Sequence, residues 1–182
     1  MLSALLELDG ALLLFIQSLR QDWLDPLVTG FTALGNAGLV WIVLSLLLLC
    51  RRDTRKGGAL ALAAMALGLV FTNLTLKPLV SRPRPWLDVA GLVPLIGEHD
   101  PHSFPSGHTT AAFAAGMVWT RTLPRRWQRV LAAAAAVCMG LSRLYVGVHY
   151  PSDVLAGALT GSLCAWMAGT IWDRMKEWNQ KR

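Results

Sequence analysis

Charge is scarce in this chain. Of its 182 residues, 15% are charged and 54% are hydrophobic, and the mean hydropathy is +0.44. A soluble domain carries about a quarter of its residues as charge, so a surface that faces water on all sides is excluded. What charge there is sits between apolar runs rather than inside them. This distribution predicts an all-α fold, a polytopic membrane bundle of about six helices forming a single domain over residues 1–182.

Cysteine is scarce too. Cys50, Cys138 and Cys164 are odd in number, show no CxxC spacing, and fall inside or at the ends of apolar segments. They are expected to be small buried hydrophobes, with neither a disulfide framework nor a metal site. A basic leader is missing as well. The opening MLSALLELDG is acidic ahead of its apolar stretch, whereas a cleaved signal needs a positive start, so this segment is expected to be retained. The net charge of +6 does not imply nucleic acid. The basic residues form short clusters between apolar segments, as cytoplasmic loops do.

The first two apolar segments, 11–19 and 23–34, are too short to cross upright. A tilted span and an interfacial helix both fit them; Pro26 suits the first turn of the second. Longer helices are expected at 37–50, 58–76, 109–122, 130–148 and 152–172. Gly157 and Gly161 make a GxxxG pair, expected to pack within the chain. Trp86, Trp127 and Trp172 fall near segment ends, as interfacial aromatics do. Arg51, Arg52, Arg55 and Lys56, the loop with Arg125 and Arg129, and the tail with Arg174, Lys176, Lys181 and Arg182 fall at one end, which the basic bias makes cytoplasmic.

Three polar clusters gather at the opposite end: KPLVSRPRP from Lys77, PSGH from Pro105, and SRLYVGVHYPSD from Ser142. Ionisable groups at membrane depth point to function. Lys77, Arg82 and Arg84 can instead snorkel to headgroups, but Arg143 lies about a turn and a half inside a helix end, where snorkelling is harder. Guanidinium forks and an ammonium together suit phosphate. Ser106 fits the N-cap of a helix, whose free N–H groups favour an anion, and Gly107 leaves room for close approach. Asp153 lies one turn beyond His149 and can hold one imidazole nitrogen, leaving the other free to attack. A structural His with an Asp that only favours the helix dipole is the blander alternative.

Taken together, the groups fit phosphoryl transfer. His149 attacks phosphorus; Lys77, Arg84, Arg143, Ser106 and the Gly107 N–H hold the phosphoryl oxygens; His108 protonates the leaving oxygen and then activates water. No acidic cluster suited to Mg²⁺ accompanies them, so neither a metal nor a cofactor is expected. His99, Asp100 and His102 are separated by a proline in HDPH and read as a flexible outer loop rather than a metal cluster.

In these motifs the chain resembles the type 2 phosphatidic acid phosphatase family, whose site design is shared with vanadium haloperoxidases. The family signature is a Lys, six residues and ArgPro; a ProSerGlyHis; and a SerArg, five residues, His, three residues and Asp. Here Lys77 with Arg84 and Pro85, Pro105 to His108, and Ser142, Arg143, His149 and Asp153 match in order. The resemblance implies a six-helix membrane phosphatase core, a nucleophilic His149 and metal-free hydrolysis of a lipid phosphate or diphosphate. It also selects Arg84 over Arg82, leaving Arg82 as an expected headgroup contact. The expected substrate is undecaprenyl diphosphate, because recycling of a carrier lipid needs a site on the outer side; phosphatidylglycerophosphate and phosphatidic acid are the alternatives. A haloperoxidase-like oxidation is disfavoured, since those relatives are soluble. A lipid-phosphate carrier without turnover would need the cations but not the His149–Asp153 pair.

Overall fold

All regular structure in the computed structural model, which describes residues 2–181, is helical. In chain order the helices are α1 (Leu2–Ser18), α2 (Asp25–Ala33), α3 (Leu39–Leu49), α4 (Arg55–Leu69), α5 (Lys77–Val80), α6 (Pro85–Asp88), α7 (Gly107–Thr122), α8 (Arg126–Tyr145) and α9 (Pro151–Gln180). A 3₁₀ turn, Asn36–Gly38, precedes α3, and a π-helical stretch, Val70–Leu76, joins α4 to α5. The stretch Arg55–Asp88 and helix α9 are long and apolar enough to cross a membrane. The pair Asp25–Ala33 and Asn36–Leu49, bent by 49°, makes a third candidate span. The chain is thus a polytopic membrane helical bundle, as expected.

Small residues fill the interior. Ala61, Ala64, Ala112, Ala114, Ala115, Ala132 and Ala136 are buried between α4, α7, α8 and α9, with Trp41 and Trp119 in contact at 5.8 Å. Large apolar side chains such as Leu44, Leu47, Leu131, Leu155, Leu159 and Leu163 face outward. Lipid is as apolar as leucine, so helices in a bilayer gain by close backbone approach rather than by hiding leucine. The GxxxG pair shows this. A Cβ on Gly161 would overlap the Thr110 carbonyl oxygen and stand 2.8 Å from the Ala114 nitrogen, and one on Gly157 would stand 2.7 Å from the Ser106 carbonyl oxygen. The pair therefore seats α9 on α7 of the same chain. Gly161→Ala is expected to destabilise the protein by about 1–3 kcal/mol through this overpacking, whereas Gly169→Ala meets nothing within 4 Å and is expected to be neutral. Thermal unfolding of the two variants in detergent checks this.

Several boundaries differ from the sequence reading. Helix α1 begins at Leu2 and takes in Glu7 and Asp9; Asp9 is only 3% exposed. Ala37, expected to start a helix, has a φ of +52° inside the turn that bends α2 into α3. The single helix expected at 58–76 is an α-helix that widens to π over its last seven residues. Helix α9 continues past residue 172 to Gln180. Cys164 is buried, but Cys50 and Cys138 are exposed on helix surfaces, and all three are free. Helical periodicity does not say which face of an all-apolar segment turns to lipid.

The expected basic end is real. Lys56 pairs with Asp173 at 3.6 Å, and Gly57 lies against Thr122, so the start of α4 meets the ends of α7 and α9. Arg182 lies outside the described residues.

Candidate active site

At the other end of the bundle, local structure places each functional side chain. Helix α8 ends in a Schellman turn: the Val148 amide donates to the Arg143 carbonyl at 3.3 Å and the Gly147 amide to the Leu144 carbonyl at 3.0 Å. Gly147 takes the left-handed conformation this motif needs, with φ of +77°. Pro151 opens α9, and the Asp153 carboxylate accepts from the Tyr150 amide at 2.9 Å. Between these two stops the chain has room only for residues 146–150. His149 is therefore held within one short turn of both Arg143 and Asp153.

The PSGH motif does the same for α7. Ser106 accepts from the Thr109 amide at 3.4 Å and the Thr109 hydroxyl at 2.9 Å. Its own amide donates to the Asp153 carbonyl at 3.1 Å, tying the start of α7 to the start of α9. Ser106 is fully buried as a cap, while Gly107 and His108 face a cavity of about 640 Å³. The His108 Nε2 meets Asn36 Oδ1 at 2.9 Å. Lys77, Arg84 and His149 line the same cavity, whose deeper wall is apolar and includes Gly38, Ile42, Leu62, Met65 and Leu69.

Arg84 is 2% exposed and donates to the Val148 carbonyl at 3.0 Å and from Nε to the Asp100 carbonyl at 2.9 Å. Its Nη1 stands 3.2 Å from His149 Nε2. The other ring nitrogen, Nδ1, faces Asp153 Oδ2 at 3.6 Å. Burial first, then the charges of Arg143, Arg84 and Lys77, hold the His149 imidazole well below its ordinary value. The ring is therefore neutral. Arg143 is fully buried behind the cavity wall and donates to Thr32 Oγ1 at 2.8 Å.

Two acidic residues complete this site: Asp100, which the sequence reading left in a flexible outer loop, and Glu98, which it did not single out. Glu98 pairs with Arg143 and stands 3.8 Å from Arg84, while Asp100 pairs with Lys77. Buried cations need such partners, because an unpaired charge away from water is costly. The loop is thus anchored by ion pairs. Arg82 corrects a second expectation. Instead of reaching headgroups, its guanidinium donates to Asp153 Oδ1 at 2.8 Å and Asp9 Oδ2 at 2.9 Å, and lies 3.7 Å over the Tyr150 ring. Ser103, fully buried, adjoins the same Asp153 carboxylate. The sequence signal for this network was the acidic pair Glu7 and Asp9 in an otherwise apolar helix, of which Asp9 is the buried one.

Residues 57–176 match the model of the PAP2 superfamily. The chain belongs to the PAP2 superfamily. Among its relatives, the undecaprenyl-diphosphatase of Sulfolobus acidocaldarius is 33% identical over 132 residues, covering 72% of this chain and 63% of that protein. Phosphatidylglycerophosphatase B of Bacillus subtilis is 30% identical, covering 90% of this chain and 82% of that one. The crystal structure of Aquifex aeolicus LpxE superposes with a TM-score of 0.78 at 30% identity, covering 88% of this chain and 93% of that one. This PAP2 protein is accordingly a membrane phosphatase of the metal-independent class acting on lipid phosphates, as its motifs implied.

Proposed function

We propose that this PAP2 phosphatase hydrolyses undecaprenyl diphosphate to the monophosphate through a phosphohistidine at His149, with residues 1–182 acting as one catalytic domain. One observation carries the reading: the His149 ring has one nitrogen beside Arg84 in the cavity and the other facing a buried carboxylate. The His149 Nε2 lone pair attacks the terminal phosphorus, and the bond from phosphorus to the bridging oxygen breaks. Lys77, Arg84 and the Gly107 N–H, which line the cavity, are assigned to the phosphoryl oxygens, where fixed donors stabilise developing charge. Arg143 and Ser106, buried behind them, are assigned to the same oxygens once substrate takes the place of Glu98. His108, protonated as the substrate's negative charge enters the cavity, gives that proton to the departing monophosphate. It then takes one from the water that attacks the phosphohistidine, releasing inorganic phosphate and restoring His149. The ring on His149 is positive while phosphorylated, and Asp153 offsets that charge.

The apolar wall below the cations suits the first units of a polyprenyl tail entering sideways from the bilayer. The basic loops at the opposite end support a site on the extracytoplasmic side. Neither a metal nor a cofactor is assigned a step.

Glu98 and Asp100 stand where phosphoryl oxygens would meet the same cations, so the substrate must replace them. Glu98→Gln is expected to lower the Tm of the ligand-free protein, since Arg143 loses its counter-charge. It is also expected to enlarge the stabilisation given by inorganic phosphate, equivalent to about fivefold tighter binding. Thermal scans with and without phosphate read both effects.

The test of the function is phosphate release by purified protein in EDTA, with undecaprenyl diphosphate, phosphatidylglycerophosphate and phosphatidic acid offered in parallel. Preferred turnover of undecaprenyl diphosphate supports the reading. Preference for either phospholipid moves the substrate while keeping the chemistry, and a requirement for added metal overturns the mechanism.

A further inference from the structure

We propose that Asp9 and Arg82 are positioning residues that hold the Asp153 carboxylate, and through it the His149 ring, in its reactive orientation. The inference rests on the reading of His149 as nucleophile. Asp153 is fully buried in the first turn of α9. Its Oδ2 accepts from the Tyr150 amide at 2.9 Å and faces His149 Nδ1 at 3.6 Å. With that oxygen shared, the carboxylate plane is set by the groups that hold the rest of it: Arg82 Nη1, 2.8 Å from Oδ1, and the buried Ser103 beside it.

Arg82 is itself held from several sides. Its Nη2 donates to Asp9 Oδ2 at 2.9 Å, its Nη1 also donates to Ser152 Oγ at 2.7 Å, and its plane lies over Tyr150. Asp9 bonds the Ser152 hydroxyl and accepts from the Ser152 amide at 3.1 Å, so α1 clamps the first turn of α9 directly. A buried carboxylate costs stability unless it is paired, and Asp9, almost fully buried, finds its partners in this cluster.

Charge explains why the cluster has two carboxylates. An Arg82–Asp153 pair alone would be neutral and would leave His149 facing Lys77, Arg84 and Arg143 with no net negative charge behind it. Asp9 cancels Arg82, so Asp153 keeps its field on the ring that becomes positive when Nε2 bonds phosphorus. The second carboxylate therefore acts on the reaction without touching the substrate.

The test compares wild type, Asp9→Asn, Arg82→Lys, Asp153→Asn and the Asp9→Asn/Asp153→Asn double variant on the lipid phosphate that the wild type turns over best. Asp9→Asn and Arg82→Lys are each expected to lower kcat about 10- to 100-fold, the cost of slight misplacement, with KM within about threefold. In the Asp153→Asn background, Asp9→Asn is expected to add no further loss. Nitrogen-15 NMR of histidine-labelled protein gives a reading independent of turnover. The His149 Nδ1 signal, assigned by its loss in His149→Ala, is expected to move in Asp9→Asn and in Arg82→Lys. Arg82→Lys keeps the charge but loses the fork, and it decides the matter if Asp9→Asn does not fold. An unchanged kcat, a loss that persists undiminished without Asp153, or an unmoved Nδ1 signal each overturns the positioning role. If wild type hydrolyses none of the lipids, the nucleophile reading falls, and the NMR comparison alone decides whether Asp9 orients His149.

Discussion

His149→Ala is expected to reduce phosphate release by about 10³-fold or more, because it removes the nucleophile proposed to form the covalent intermediate. Affinity for the lipid phosphate should survive. Lys77, Arg84 and Arg143 keep their places without the imidazole, since Arg84 is anchored by the Val148 and Asp100 carbonyls and Arg143 by Thr32 and Glu98. Steady-state turnover and equilibrium binding measured on one preparation separate the two effects. Loss of turnover with binding retained identifies an enzyme that has lost its nucleophile. Turnover that persists in the variant would reassign the attacking group. If wild type itself binds without turnover, the protein is a carrier.

Arg143→Ala is expected to be nearly as damaging, lowering kcat by about 10²- to 10³-fold, the usual cost of removing a fixed donor to developing charge. The effect on the fold should be visible as well. Arg143 is fully buried, and its removal leaves a cavity, an unmet Thr32 hydroxyl and a Glu98 with only the more distant Arg84. Arg143→Lys separates charge from shape. An ammonium restores the positive charge but cannot reach Thr32 and Glu98 with two parallel arms. Its Tm should therefore recover more than its kcat does. Equal recovery of both would make Arg143 a structural residue only.

The sequence made the parts of the site legible because each part is local. Ser106 with Thr109, or His149 with Asp153, lies within one helical turn, so spacing alone predicts that they meet. The ordered motifs then linked the three clusters. Long-range ion pairing was not legible. Nothing local to Glu98 or Asp100 says that they answer Arg143 and Lys77, because those partners lie on other helices. Arg82 was misjudged for the same reason. Motif spacing selects one arginine of the RPRP stretch and is silent on the other, whose partners, Asp9 and Asp153, lie 73 and 71 residues away in the chain. The bundle itself was easier to read than its surfaces. Runs of leucine and alanine announce membrane helices, but only packing decides that alanine faces in and that Cys50 and Cys138 face out.

The π-helical stretch Val70–Leu76 sits immediately before Lys77. Such a segment holds one more residue than the same length of α-helix needs, so it works as a phase adjuster for everything that follows it. Relaxing all seven residues to ordinary α pitch would turn Lys77 by about 100° or more around the axis, away from the cavity. Removing the one extra residue would instead restore that pitch with Lys77 close to its present direction. Helix length and side-chain aim are thus uncoupled at this one place. Loss of one residue between Leu69 and Lys77 is therefore the change this stretch can absorb, while a further insertion there has no such outlet.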